Sequence, residues 1–186
     1  MSNVVLRGNV FINYTDPSNP LNAPMQGIGC FDGQFVNWRV ENNIVITNHW
    51  HGISFYGMHD SFIINNTVVD INDSTPGPSW IKTAAYGGID SNNVVVRNNL
   101  ANSFSLAGQN IISDHNAEVD ASNFNQLFIN PPYNLQLKIN SFAIDTGDAS
   151  VAPIIDIIGT TRPYGIAHDL GAYEYRGDVI FNNGFD

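Results

Sequence analysis

His49, Trp50 and His51 stand together just ahead of an alternating stretch that includes Ile53, Phe55 and Tyr56. One repeat further on come Trp80 and Lys82, with Tyr86 close behind. Two kinds of chemistry suit these residue types. Trp and Tyr rings offer apolar faces on which pyranose C–H groups stack, so a polysaccharide is the expected partner. Lys82 is able to neutralise a carboxylate; His51 or Tyr56 then takes the proton α to it, and a tyrosine returns one to the leaving oxygen. On that reading Lys82, Tyr56 and His51 are catalytic, while Trp50, Trp80, Tyr86 and His49 bind substrate. The competing reading is structural. Trp50 and Trp80 would pack an insertion onto the wall behind it, and the histidines would be partly exposed bend residues.

Other chemistries find less support. Asp32, Asp60 and Asp90 occur in "FDGQ", "HDSF" and "IDSN", each ahead of a strand, which is the pattern of an Asx turn. Asp145, Asp148, Asp156 and Asp169 read as turn and cap residues, so no carboxylate pair of the kind a glycosidase needs stands out. His49, His51 and His59 could share a metal on paper, since residues i and i+2 lie on one face of a strand. HEXXH and paired CXXC spacings are missing, so no metal site is expected from them. Calcium, an oxygen-seeking ion, fits the acidic Asp- and Asn-rich surface better, but no ligand set can be named.

Composition narrows the field. The 186 residues suffice for one domain with a sizeable core. Charged residues are only 13% and the net charge is −10. A surface that acidic repels phosphate backbones, so nucleic acid is not an expected partner. The single cysteine, Cys30, forms no intrachain disulfide and reads as a small apolar residue. No apolar run is long enough to span a membrane. "MSNVVLRGNV" lacks the basic and apolar regions of a signal peptide. Either the protein stays inside the cell, or Met1 is not its native start.

Positioning the candidate residues is the work of a repeat. "NVVLRGNVFIN", "NWRVENNIVITN", "SFIINNTVVDIN" and "NVVVRNNLANS" align on Asn9, Asn43, Asn66 and Asn99. An aliphatic residue stands three places earlier each time: Leu6, Val40, Ile63 and Val96. Asn43 and Asn66 are 23 residues apart, while the flanking intervals of 34 and 33 each hold a Pro-rich insertion, 14–26 and 72–88. Short alternating strands at a period in the low twenties predict a parallel β-helix of about six coils. In such a stack the four asparagines would form a ladder, bonding from coil to coil while accepting a left-handed backbone. A second strand column places Ile28, Ile53 and Ile81 inward together, with Cys30, Phe55 and Thr83 two places on. Gly29, Ser54 and Lys82 would point outward.

"HGISFYGMHDSFIINNTVVD", "GPSWIK" and "NNVVVRNN" resemble secreted bacterial right-handed parallel β-helix repeat proteins of the pectate-lyase-like superfamily. "SFAIDTGD", "IGTTRP" and "HDLGAYEY" are similar to the segment that often ends such proteins, and "IFNNGFD" to a tail of exported bacterial proteins. The resemblance implies an extracellular or cell-surface location. It also implies a fold: all-β, with coils over 1–126, a closing segment over 127–175 at the lower end of the solenoid, and a tail over 176–186. The superfamily includes lyases, hydrolases, epimerases, tailspikes and adhesins. The Asp-Pro-His-Asp signature of alginate epimerases is absent. The expected function is therefore an extracellular polysaccharide-engaging module, the partial body of a lyase or hydrolase. A non-catalytic surface or adhesin-type spacer is the alternative. "VVLRGNVFIN" would leave an open apolar edge, so either upstream coils precede it or the protein associates through that edge.

Overall fold

The computed structural model describes residues 1–13, 24–70, 76–120 and 122–177. The chain traces one three-strand circuit repeatedly. The first coil holds β1 (Ser2–Arg7), β2 (Val10–Ile12) and β3 (Ile28–Cys30), and the second β4 (Phe35–Glu41), β5 (Ile44–Ile46) and β6 (His51–Tyr56). The third holds β7 (Met58–Ile64), β8 (Thr67–Val69) and β9 (Trp80–Ala84), and the fourth β10 (Asn92–Arg97), β11 (Leu100–Ala101) and β12 (Ser103–Leu106). A fifth coil stops after β13 (Gln109–Asp114) and β14 (Ala117–Glu118). Equivalent strands pair in parallel, giving a first sheet β1-β4-β7-β10-β13, a second β2-β5-β8-β11-β14 and a third β3-β6-β9-β12. These stacked sheets are compatible with a parallel β-helix. A short helix α1 (Phe124–Leu127) and an antiparallel pair, β15 (Phe128–Asn130) and β16 (Asn134–Leu137), complete the elements.

The third sheet has the expected register. Ile28, Ile53 and Ile81 align, as do Cys30, Phe55 and Thr83. Ile53, Phe55 and Ile81 are fully buried, and they join Val40, Val45, Ile63, Val68, Val94 and Val96 in one core between the three sheets. Burial pushes the half-buried Cys30 thiol up to about 11. Two expectations need correction. The circuit is completed four times and begun a fifth, rather than run about six times, because the chain leaves the stack after β14. The stretch 72–88 is not all insertion, since it contains β9.

One bend has constant length. Between the first and second sheets the chain always turns in two residues: 8–9, 42–43, 65–66, 98–99 and 115–116. The first of each pair is left-handed: Gly8, Asn42, Asn65, Asn98 and His115 have φ between 49° and 69°. The second is the ladder residue. Asn9 donates through both its backbone N–H and Nδ2 to Oδ1 of Asn43, and the same paired bonds link Asn43 to Asn66, Asn66 to Asn99 and Asn99 to Asn116, all at 2.9–3.1 Å. The sequence reading gave both tasks to one asparagine; the fold divides them between neighbours. Asn116 extends the ladder by one rung beyond the four read from the sequence.

A second column lies inside the first sheet. Asn3, Asn37, Asp60, Asn93 and Asn110 all have positive φ. Amide bonds join Asn37 to Asn3, Asn93 to Asp60 and Asn110 to Asn93. Asp60 therefore sits within β7 rather than in a turn ahead of a strand.

The segment after β14 does not close the lower end. It lies along the outer face of the second sheet, where Leu127, Phe128, Leu135, Leu137, Ala143, Leu170 and Ala172 pack against Ile44, Ile46, Val69 and Leu100. The left-handed asparagines hold it there. Nδ2 of Asn42 donates to Ile155 O, that of Asn65 to Asp169 O and that of Asn98 to Asp148 O, at 2.7–3.0 Å. Arg162 anchors the segment internally, wholly buried and 2.6 Å from the equally buried Glu174. Burial pulls the Arg162 guanidinium down against the attraction of Glu174, Asp156 and Asp169, and it pushes Asp169 up to about 6. Both stack ends keep half-buried apolar side chains: Val4, Leu6, Phe11 and Phe35 at one, Phe104, Leu106 and Ile111 at the other. The tail from 178 onward lies outside the described residues, as do 14–23 and 71–75.

Asn66 is fully buried, and its Oδ1 accepts two donors from Asn43. Asn66→Ala strands both donors and is expected to cost roughly 3 kcal/mol or more in urea unfolding. Asn9→Ala, at the half-exposed end of the same ladder, should cost about 1 kcal/mol or less. Equal losses would mean that the ladder is not a cooperative element of stability.

Candidate functional site

The third sheet keeps its outer face free of the C-terminal segment's apolar seam, and the candidate residues gather there. His51 opens β6 and Trp80 opens β9, directly paired. Ser54 aligns with Lys82, and Lys82 with Ser105 on β12. Alternation along β9 does the sorting: Ile81 and Thr83 face the core, so Trp80 and Lys82 face out. Two columns of outward side chains result, an aromatic one at the strand starts and a polar one in the middle.

Contacts lock this set together. Trp80 Nε1 donates to His51 Nδ1 at 3.3 Å and to Ser54 Oγ at 3.2 Å, while His51 Nδ1 lies 2.8 Å from that same hydroxyl. An indole N–H only donates, so Nδ1 is the acceptor and neutral His51 carries its proton on Nε2. The His51 backbone N–H donates to His49 Nδ1 at 3.1 Å, and the two imidazoles stack with centroids 5.4 Å apart. Trp50, 40% exposed, stacks on Trp80 at 6.2 Å and 22°, and its Nε1 donates to Gly77 O. The Lys82 ammonium lies 4.8 Å above the Trp80 ring centroid and donates to Ser105 Oγ at 2.9 Å. Lys82 makes no ion pair among the described residues, unlike Arg7, Arg39, Arg97 and Arg162. Phe31 closes the far side, edge-on to both His51 and Tyr56.

Six of the seven expected residues therefore meet: His49, Trp50, His51, Tyr56, Trp80 and Lys82. Tyr86 does not. It is bridged through its backbone to Ile89 beyond the end of β9, and among the described residues no ring stacking or side-chain hydrogen bond joins it to the others. Phe31, Ser54 and Ser105 complete the cluster. Ser54 lay on the expected outward column, but Ser105 required a fourth strand in that column, which "NSFSLAG" does not announce. His59 lies on β7 in the first sheet, apart from His49 and His51. Among the described residues no group of three His, Cys, Asp or Glu side chains is placed to hold a metal. No described helix is long and apolar enough to cross a membrane.

Scans against family models, curated proteins and solved structures all return nothing for this chain.

The geometry of the site suits binding better than proton transfer. His51 Nδ1 is occupied and Nε2 already bears the proton, so the imidazole faces outward as a donor. No hydrogen bond or ion pair of the cluster among the described residues involves a carboxylate. Burial lowers the pKa of His51, and repulsion from His49 and Lys82 lowers it further. The native state thus resists protonation more than the unfolded chain does. This group's contribution to stability is full above its ordinary value of 6.5 and is lost as pH falls through the lowered native value. In an NMR titration the His51 midpoint should fall below 6.5, and Lys82→Met should move it upward. A midpoint at or above the ordinary value in the native protein would contradict the arrangement.

Proposed function

We propose that this chain is an extracellular, right-handed parallel β-helix of the pectate-lyase-like kind that engages polysaccharide on the outer face of its third sheet. One observation carries the reading: Trp50 and Trp80 present nearly parallel rings beside the Lys82 ammonium, which has no carboxylate partner among the described residues. Stacked indoles grip the C–H faces of sugar rings, and an ammonium without a carboxylate partner favours an acidic or hydroxyl-rich unit beside them. Right-handedness follows the general preference of parallel crossovers. Engagement without turnover is the form supported here, because the imidazole that would act as base is already committed to Trp80 and Ser54. Calcium enters as a bridge only if the sugar is a uronate, since the protein itself is acidic.

The alternative is a rigid spacer with no ligand. It is favoured by one contact, the bond from Trp50 Nε1 to Gly77 O, which ties that ring to the loop ahead of β9.

Affinity electrophoresis against neutral and uronic-acid polysaccharides, with and without calcium, separates the two. Retention should weaken about tenfold in Trp50→Ala and in Lys82→Met, and stay unchanged in Tyr86→Ala. Mass spectrometry of the same mixtures tests turnover: fragments short of one water indicate a lyase, fully hydrated ones a hydrolase. Loss of rate in Tyr56→Phe would then restore a catalytic role to that face. Absence of both retention and fragments favours the spacer.

A further inference from the structure

The two ends of the stack are complementary to each other, column by column. In the Asn ladder every rung donates toward the next coil, so among the described residues the backbone N–H of Asn116 has no recipient and the Oδ1 of Asn9 has no donor. In the column through the first sheet the polarity is reversed: Asn37 donates to Asn3 and Asn110 to Asn93, leaving Nδ2 of Asn3 and Oδ1 of Asn110 open among the described residues. One end therefore offers an acceptor in one ladder and a donor in the other, and the opposite end offers their counterparts.

The outward columns of the first sheet agree. Arg7, Glu41, Ile64, Arg97 and Asp114 stand above one another. Arg7 and Arg39 share Glu41, and Arg97 holds Asp114 through two nitrogens. Another Arg7 placed one strand beyond Asp114 would give that carboxylate a second guanidinium, as Glu41 has Arg39 of its own strand besides Arg7 of the coil before. In the adjoining column Val5 and Ile112 are the terminal members, 57% and 49% exposed. An added coil would bring Val5 against Ile112. Inside the sheet, half-buried Ile111 would meet half-buried Val4.

We propose that a second copy of this chain stacks head to tail on the first, the first coil of one seated on the fifth coil of the other at one strand spacing, about 4.8 Å. The first sheet continues through the joint as ten parallel strands. The third sheet takes no part, because the fifth coil has no third strand. Unlike ends meet, so the contact does not close on itself, and each addition leaves a fresh end of each kind. The candidate sugar-binding residues lie on the third sheet and are not used.

Two single substitutions test this without touching the core. Val5→Lys blocks one end and Ile112→Lys the other; both side chains point outward and the variants should keep the wild-type far-ultraviolet circular dichroism. In sedimentation velocity the wild type should grow with concentration beyond a dimer. Each variant alone should remain a monomer. An equal mixture of the two should regain a dimer and nothing longer, because it holds one intact pair of ends. A wild type that stays monomeric at all concentrations overturns the proposal. So does a variant that dimerises alone, which would mean that like ends meet, or a mixture that fails to dimerise.

Discussion

A buried amide that must find partners at every level is the constraint on which the rest of this structure depends. Asn43, Asn66 and Asn99 are removed from water, so each must place two donors and an acceptor on its neighbours or lose the cost of desolvation. Only one vertical register does this, and a slip of one coil residue would also turn the core side chains outward. The ladder thereby fixes the register of the first two sheets together. Apolar packing supplies most of the free energy of the stack, while the amides decide which of many similar packings is adopted.

The residue ahead of each ladder asparagine shows how a local requirement becomes a tertiary contact. That position needs a left-handed backbone, which glycine meets at least cost and asparagine meets nearly as well. In the first coil it is Gly8 and in the fifth His115; in the middle three it is Asn42, Asn65 and Asn98. Those three are the ones whose amides bond to the C-terminal segment. Asparagine thus serves where the backbone turn and the attachment coincide. Buried Arg162 then joins the segment to itself and to Asn42, at the cost of desolvating a guanidinium whose partners include Glu174 and two backbone carbonyls.

Much of this was legible in the sequence, and the failures have physical causes. The recurring aliphatic–x–x–Asn spacing exposed four rungs, and the alternation of Ile53 with Phe55 and of Ile81 with Thr83 was enough to set the third sheet's register. The fifth rung escaped because Ser113 occupies the aliphatic position and His115 the left-handed one, and because only 17 residues separate Asn116 from Asn99. The lie of the C-terminal segment along the second sheet was not legible, because Asn42, Asn65 and Asn98 attach to it through backbone carbonyls, which every residue possesses and no sequence displays. In the site, outward-facing Trp80 and Lys82 followed from strand alternation. Tyr86 did not join them, since it lies past the end of β9 where that alternation no longer applies.

The three corners of the circuit obey different rules. The corner between the first and second sheets admits two residues every time, whereas the path from second to third sheet is Asn102 alone in the fourth coil and all of 13–27 in the first. From Ile53 and Ile81 onward the register of the third sheet is nonetheless preserved across coils of such unequal length, the one shift lying between His51 and Ile53. Length is therefore a free variable at one edge of the molecule and a fixed one at another. For protein engineering, that edge is a graft site: foreign loops exchanged there would project beside the aromatic face without any change to the interior.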